Sequence, residues 1–135
     1  MEIILCNETL GITQRALKVL RNTLAYRIDN KLDVWQVNSL DTIAYGFIIL
    51  DYTKQQAIII GDGFRSDGGG EGGAGHRAAQ ALLAIYGITP VEAEEPLDYT
   101  EDVEDYINLI DNLPEMHPHI PEVENPHYID FIMRK

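Results

Sequence analysis

Leu17, Leu20, Leu24 and Ile28 recur at helical spacing, while Gln14, Arg15, Lys18, Arg21 and Asn22 fall between them. The spacing predicts an amphipathic helix that ends near Tyr26, with Thr9 or Thr13 as its cap. A different rhythm follows. Val34-Trp35-Gln36-Val37, Thr42 to Leu50 and Gln56 to Ile60 are rich in β-branched and aromatic residues, and they read as strands. Asp51-Tyr52-Thr53-Lys54-Gln55 joins the last two as a hairpin turn. Met1 to Cys6 makes a further short strand. His76 to Tyr86 has the composition of a helix closed by Gly87.

Beyond Thr89-Pro90 the pattern thins. A third helix is expected over about Glu101 to Asn112, capped by Thr100, with Glu101, Asp102, Glu104 and Asp105 in its first turn, where the helix dipole favours acids. Val103, Tyr106, Ile107 and Ile110 form its apolar stripe. Prolines 114, 118, 121 and 126 make the next stretch an extended arm without a core of its own, free to wrap a neighbour. Tyr128-Ile129-Asp130-Phe131-Ile132-Met133 alternates as a closing strand, which either packs internally or completes the sheet of another subunit.

These elements predict an α+β fold: a small, mainly antiparallel sheet with two to three helices packed on it, in a single compact domain. At 135 residues one core is affordable and two are not. Within it, 1–91 is the core, 92–127 an acidic helix and proline-rich arm, and 128–134 the closing strand. No apolar run is long enough to cross a bilayer, and the first residues lack the basic and apolar regions of a secretory leader, so a cytoplasmic protein with no membrane partner is expected. The lone Cys6 reads as a buried structural thiol.

The net charge of −12 is unevenly spread. Residues 92–124 carry twelve acids and no Lys or Arg, whereas Arg15, Lys18, Arg21, Arg27 and Lys31 cluster near the N-terminus. Long nucleic acid is a poor partner for such a surface, because duplex binding relies on neutralising phosphates. A small anion in a local basic pocket fits better. Solvated faces, or acidic and basic faces that meet between subunits, account equally for the two runs.

The segment from Gly61 to Gly75 holds eight glycines, with Asp62, Phe64, Arg65, Asp67 and Glu71 among them. It lies between the strand ending at Ile60 and the helix starting at His76. A glycine-rich loop at a helix N-terminus can converge several amides on an anion such as phosphate. It lacks the lysine and hydroxyl of a Walker loop, and Gly68-Gly69-Gly70-Glu71-Gly72-Gly73 matches the dinucleotide fingerprint only because glycine is so abundant there. No acid ends a second strand about twenty residues later, which excludes a Rossmann domain.

One consistent set of roles remains. Amides of Gly69, Gly70, Gly72 and Gly73 would meet phosphate, with Arg65 and Arg77 on a diphosphate and His76 donating from the helix start. Asp62, Asp67 and Glu71 would accept from ribose hydroxyls, or instead hold a divalent ion or act as acid and base. Phe64 would stack on a base, and Trp35, Tyr45 or Tyr86 could supply a second face, though a core position is the commoner fate of such rings. His117-Pro118-His119, with His127 nearby, suggests a metal, but proline extends the backbone and sends the two imidazoles apart. No metal and no cofactor are expected.

The run Gly61-Asp62-Gly63-Phe64-Arg65-Ser66-Asp67-Gly68-Gly69-Gly70-Glu71-Gly72-Gly73, followed by an alanine-rich helix, resembles the Thoeris anti-defence sponge proteins of phages and prophages. The resemblance implies a non-enzymatic protein of the host bacterial cytosol that sequesters a cyclic ADP-ribose isomer made by a TIR-domain sensor. It also implies a homo-oligomer, a dimer or larger up to a hexamer, whose subunits pair to form the pockets. Some sponges of this kind hold cyclic oligonucleotides at a separate site. No motif places that site here, and Arg15, Lys18 and Arg21 are its candidates only as a basic helix face. Two alternatives stay open: an enzyme that hydrolyses or transfers a nucleotide-sugar or ADP-ribosyl substrate with loop carboxylates, and a structural module whose glycine loop makes a protein contact.

Overall fold

The computed structural model describes residues 1–6, 13–40, 43–65, 70–99, 102–114, 116 and 118–123, with backbone alone for Glu71 and Gly72. The elements run β1 (Glu2–Cys6), α1 (Thr13–Tyr26), β2 (Leu32–Asn38), β3 (Ala44–Asp51), β4 (Gln56–Arg65), α2 (Gly70–Ile85), β5 (Val91–Glu92) and α3 (Val103–Asp111). The fold is α+β, built on one five-stranded sheet of order β1-β4-β3-β2-β5. The sheet is mixed rather than mainly antiparallel. β2, β3 and β4 form the antiparallel meander that the sequence predicts, but β1 joins β4 and β5 joins β2 in parallel.

Strict alternation along the strands builds two cores. Leu32, Val34, Tyr45, Phe47, Ile49, Ile58, Ile60 and Phe64 meet Ala16, Leu17, Leu20 and Leu24 of α1 and Ala79, Leu82, Leu83 and Tyr86 from the second helical segment. On the other face Trp35, Val37, Ile48, Leu50, Ala57 and Ile59 meet Tyr106, Leu109, Ile110 and Leu113. The sheet is therefore covered on both sides across β2, β3 and β4, while Val91 of the short edge strand β5 stays exposed.

The segment after α2 folds back through a closing motif: Gly87, at φ +70°, donates from its N–H to Ala84, and the Ile88 N–H reaches Leu83. β5 corrects the expectation that no acid ends a strand about twenty residues after the glycine run, because Glu92 ends it; the strand has two residues and pairs with β2 rather than with β4. α3 differs from expectation at two points. Its N-cap is Asp102, whose carboxylate accepts from the Glu104 N–H at 3.0 Å. Its buried side is set by Tyr106, Leu109 and Ile110, while Val103 and Ile107 face solvent. The proline-rich arm lies on its own chain at two places. His119 pairs with Leu32, and the Glu122 N–H donates to Tyr86 O at 2.9 Å.

At the far end of α1 from its start, Arg27 and Asp51 form a buried ion pair of 2.6 Å. Asn30 donates to the same carboxylate, the Lys54 N–H donates to its other oxygen, and Gln56 takes a second bond from Arg27. Burial alone would raise the Asp51 pKa, but the bonds from Asn30, Lys54 and Arg27 outweigh it and hold the carboxyl below the ordinary value of 3.8.

Among the described residues no helix is long and apolar enough to cross a membrane. The closing strand over 128–134, the caps proposed at Thr9 and Thr100, and His117 and His127 lie outside the described residues.

Candidate functional site

β1, β2, β4 and β5 run in one direction, so their carboxyl ends share one edge of the sheet. The N-termini of α1 and α2 follow the carboxyl ends of β1 and β4 at that same edge. In open sheets with helical crossovers, ligands are commonly found outside such carboxyl ends.

The predicted fifteen-residue loop is largely not a loop. β4 continues through Gly61-Asp62-Gly63-Phe64-Arg65, and α2 starts at Gly70 rather than His76. Only residues 66–69 separate them, and these, with candidates Asp67 and Gly69, lie outside the described residues. One glycine of the predicted loop, Gly75, and Gly46 on the facing strand serve close approach instead. The β3–β4 register is irregular where Tyr45 opposes Phe64 and Phe47 opposes Ile60, so β4 carries extra residues there. A Cβ on Gly46 would collide with the carbonyls of Ile60 and Gly61, so only glycine lets β4 fold over β3 at this bulge. A Cβ on Gly75 would collide with the Thr13 methyl, so α1 and α2 touch at their N-terminal ends. Thr13 also ties α1 to the bulge, donating from Oγ1 to Gly63 O at 2.6 Å.

Phe64 is fully buried, stacked on Tyr45 at 5.5 Å between centroids and edge-on to Phe47. It is a core ring and cannot stack on a base. Tyr45 and Tyr86 are likewise core residues, and Trp35 lies on the opposite face of the sheet. His76 sits in the second turn of α2, half-buried, with Nδ1 hydrogen-bonded to the Tyr45 hydroxyl. It is therefore not a donor at the helix start. Burial pushes the Tyr45 phenol up to about 12, with a bond to Gln80 acting against the rise. The phenol is thus neutral at physiological pH, and it fixes the imidazole ring.

Asp62 is half-buried and accepts from Ser39 Oγ at 2.7 Å. Ser39 is a site residue that sequence reasoning missed. Its signal would have been its place just past the carboxyl end of β2, which only the strand order brings beside β4. Arg65 is exposed at the end of β4, and Arg77 is exposed on α2. Gly70 takes φ +60° and is open, with no heavy atom near the place of a Cβ. Gly73, by contrast, is buried within α2, and the side of Glu71 and Gly72 is not described. The edge holds Arg65 at the end of β4 and Gly70 at the start of α2, while Asp62 bonds Ser39 and acts on Tyr99 in the core of the opposite face, and His76 bonds Tyr45.

On α1, Arg15 and Lys18 are exposed, whereas Arg21 is half-buried and close enough to Tyr86 to act on its phenol. Arg21 is thus drawn toward Tyr86, and the exposed basic side chains here are Arg15 and Lys18. Comparisons with protein-family models, with curated proteins and with solved structures find no match.

Proposed function

We propose that the chain captures a small cyclic nucleotide, a cyclic ADP-ribose isomer in the first instance, at the carboxyl edge of its sheet and holds it without cleaving it. The observation that carries this reading is the start of α2. Its first turn opens at an exposed, uncrowded Gly70, five residues along the chain from the exposed Arg65 that ends β4. The N–H groups of a helix's first turn and the positive end of its dipole suit a pyrophosphate there, Arg65 adds a charge, and a carboxylate such as Asp62 can accept from a ribose hydroxyl. The resemblance of residues 61–73 to the Thoeris anti-defence sponges supports the same ligand class and the role of blocking a defence signal.

In this reading the base is not stacked on Phe64, so its recognition falls to other groups, including those a second subunit would bring. A homo-oligomer is part of the proposal, supported by exposed Leu40 and Ile43 near the same edge. The deciding experiment is mass spectrometry of what co-purifies when the protein is expressed beside an active TIR sensor. Recovery of an intact cyclic ADP-ribose isomer is expected. Recovery of nothing, under conditions where the sensor makes its product, would falsify the reading.

One observation favours an enzyme instead. The Tyr45 hydroxyl orients His76 on the same edge as Asp62, an arrangement from which imidazole can act as acid or base on an ADP-ribosyl substrate. Incubation with the ligand followed by heat release separates the two, since an enzyme returns product and a sponge returns the ligand unchanged.

A further inference from the structure

On the face opposite α1 and α2, the segment Val91–Glu95 stands apart from the C-terminal half of α3 and leaves a cavity of 670 Å³. That volume is in the range of small-molecule sites. Trp35, Val91, Ala93, Leu109, Leu113 and Pro114 give it a mainly apolar wall, with Asn108 and Asn112 on the helix side. Trp35 is 3% exposed, and its indole Nε1–H has no hydrogen-bond partner among the described residues. An indole nitrogen can only donate, so nothing within the ring relieves the loss. Buried donors are almost always paired; Nε1 itself is shut off from solvent, so an acceptor in the cavity reaches it only when the ring turns outward.

The charge around the opening is of one sign. Glu94 and Glu95 are exposed in the wall, and no Lys or Arg occurs between Arg77 and Arg134 in the sequence. The carbonyl end of α3 points its partial negative charge to the same place. Glu92 also borders the cavity, but its carboxylate accepts from Asn38 Nδ2 at 2.9 Å. A nucleotide phosphate is therefore disfavoured here, in contrast to the carboxyl edge of the sheet.

We propose that this cavity is a second ligand site, for a small organic cation. Its apolar or aromatic body fills the space beside Trp35, its protonated amine faces Glu94 and Glu95, and a carbonyl oxygen accepts from the Trp35 indole. The site stands on different residues and the opposite face from the nucleotide reading, and neither depends on the other.

The chain holds one tryptophan, so its ¹⁵N-labelled indole gives a single NMR signal that reports on this cavity. Titrating the full chain, without nucleotide, with phenylalaninamide supplies ring, ammonium and carbonyl together. A saturable downfield shift of the indole signal is expected, with movement of the Asn108 and Asn112 side-chain amides. The Glu94→Gln/Glu95→Gln double variant, and the uncharged probe 3-phenylpropanamide on the native chain, should each bind at least about fivefold more weakly, roughly what one or two screened charge contacts contribute. An indole signal that fails to move, or that moves alike for charged and uncharged probes, overturns the proposal. So does an indole signal that shifts with protein concentration alone, which would assign the cavity to a second copy of the chain. A long-lived water on Nε1 with no response to the probe overturns it equally.

Discussion

Single residues decide how closely the elements approach. Gly46 looks ordinary in the sequence and Gly75 reads only as part of a glycine-rich run, yet each marks a contact that a methyl group would block. Gly46→Ala meets backbone atoms that cannot step aside, so a loss of about 3 kcal/mol or failure to fold is expected. Gly75→Ala meets a side-chain methyl of Thr13 and should cost about 1–3 kcal/mol, the usual range for overpacking. Urea denaturation of both variants checks the order. Arg27 and Asp51 make a second residue-scale case, because removal of one partner strands a charge in the interior. Arg27→Met should cost about 3–5 kcal/mol at neutral pH. Asp51 has its folded pKa below its unfolded value of 3.8. Its contribution is therefore complete above that value and is lost as pH falls through the lower, folded pKa. The stability gap between the native chain and Asp51→Asn, measured by urea denaturation from pH 7 down to pH 2, should narrow below pH 3.8.

At the scale of elements, the chemistry depends on where β4 stops and α2 starts. Glycine is a weak helix and strand former, and a reading by propensity assigns the whole of Gly61–Gly75 to a loop. Tertiary contacts override it. Phe64 fills the core against Tyr45 and Phe47, Gly63 is held by Thr13, and the helix is drawn back to Gly70. Arg65 is left at the junction with its side chain exposed. Arg65→Ala should weaken nucleotide binding by about tenfold, the loss of one charge-assisted contact, with an unchanged circular dichroism spectrum; calorimetry showing equal affinity would remove Arg65 from the site. Phe64→Ala acts one residue earlier in the same stretch. It should destabilise by about 3–5 kcal/mol through an unfilled cavity, a result that a surface ring stacked on a base would not give. At α3, loss of the cap in Asp102→Ala should cost about 1 kcal/mol, readable as a small drop in melting temperature.

For the whole molecule, the sheet collects groups that are distant along the chain. Ser39 reaches Asp62, and Tyr45 reaches His76, only because β3 lies between β2 and β4 with α2 packed above. The two faces also divide the chemistry, with the carboxyl edge and two helix starts in one region and an acid-rimmed cavity against Trp35 in another. The homo-oligomer in the functional proposal is checked by light scattering, which should give a mass of at least two chains for the 15.2 kDa polypeptide.

The sequence by itself determined the alternation of the meander, the amphipathic face of α1, the closing glycine of α2 and the α+β class. These follow from local periodicity and capping, which neighbours in the chain suffice to set. Tertiary structure alone decided the parallel pairing of β1 and β5, the passage of residues 61–65 into strand and 70–75 into helix, and the burial of Phe64. Each of those depends on which surfaces meet across the sheet, and burial against a partner remote in sequence outweighs the preference of any residue for its local conformation.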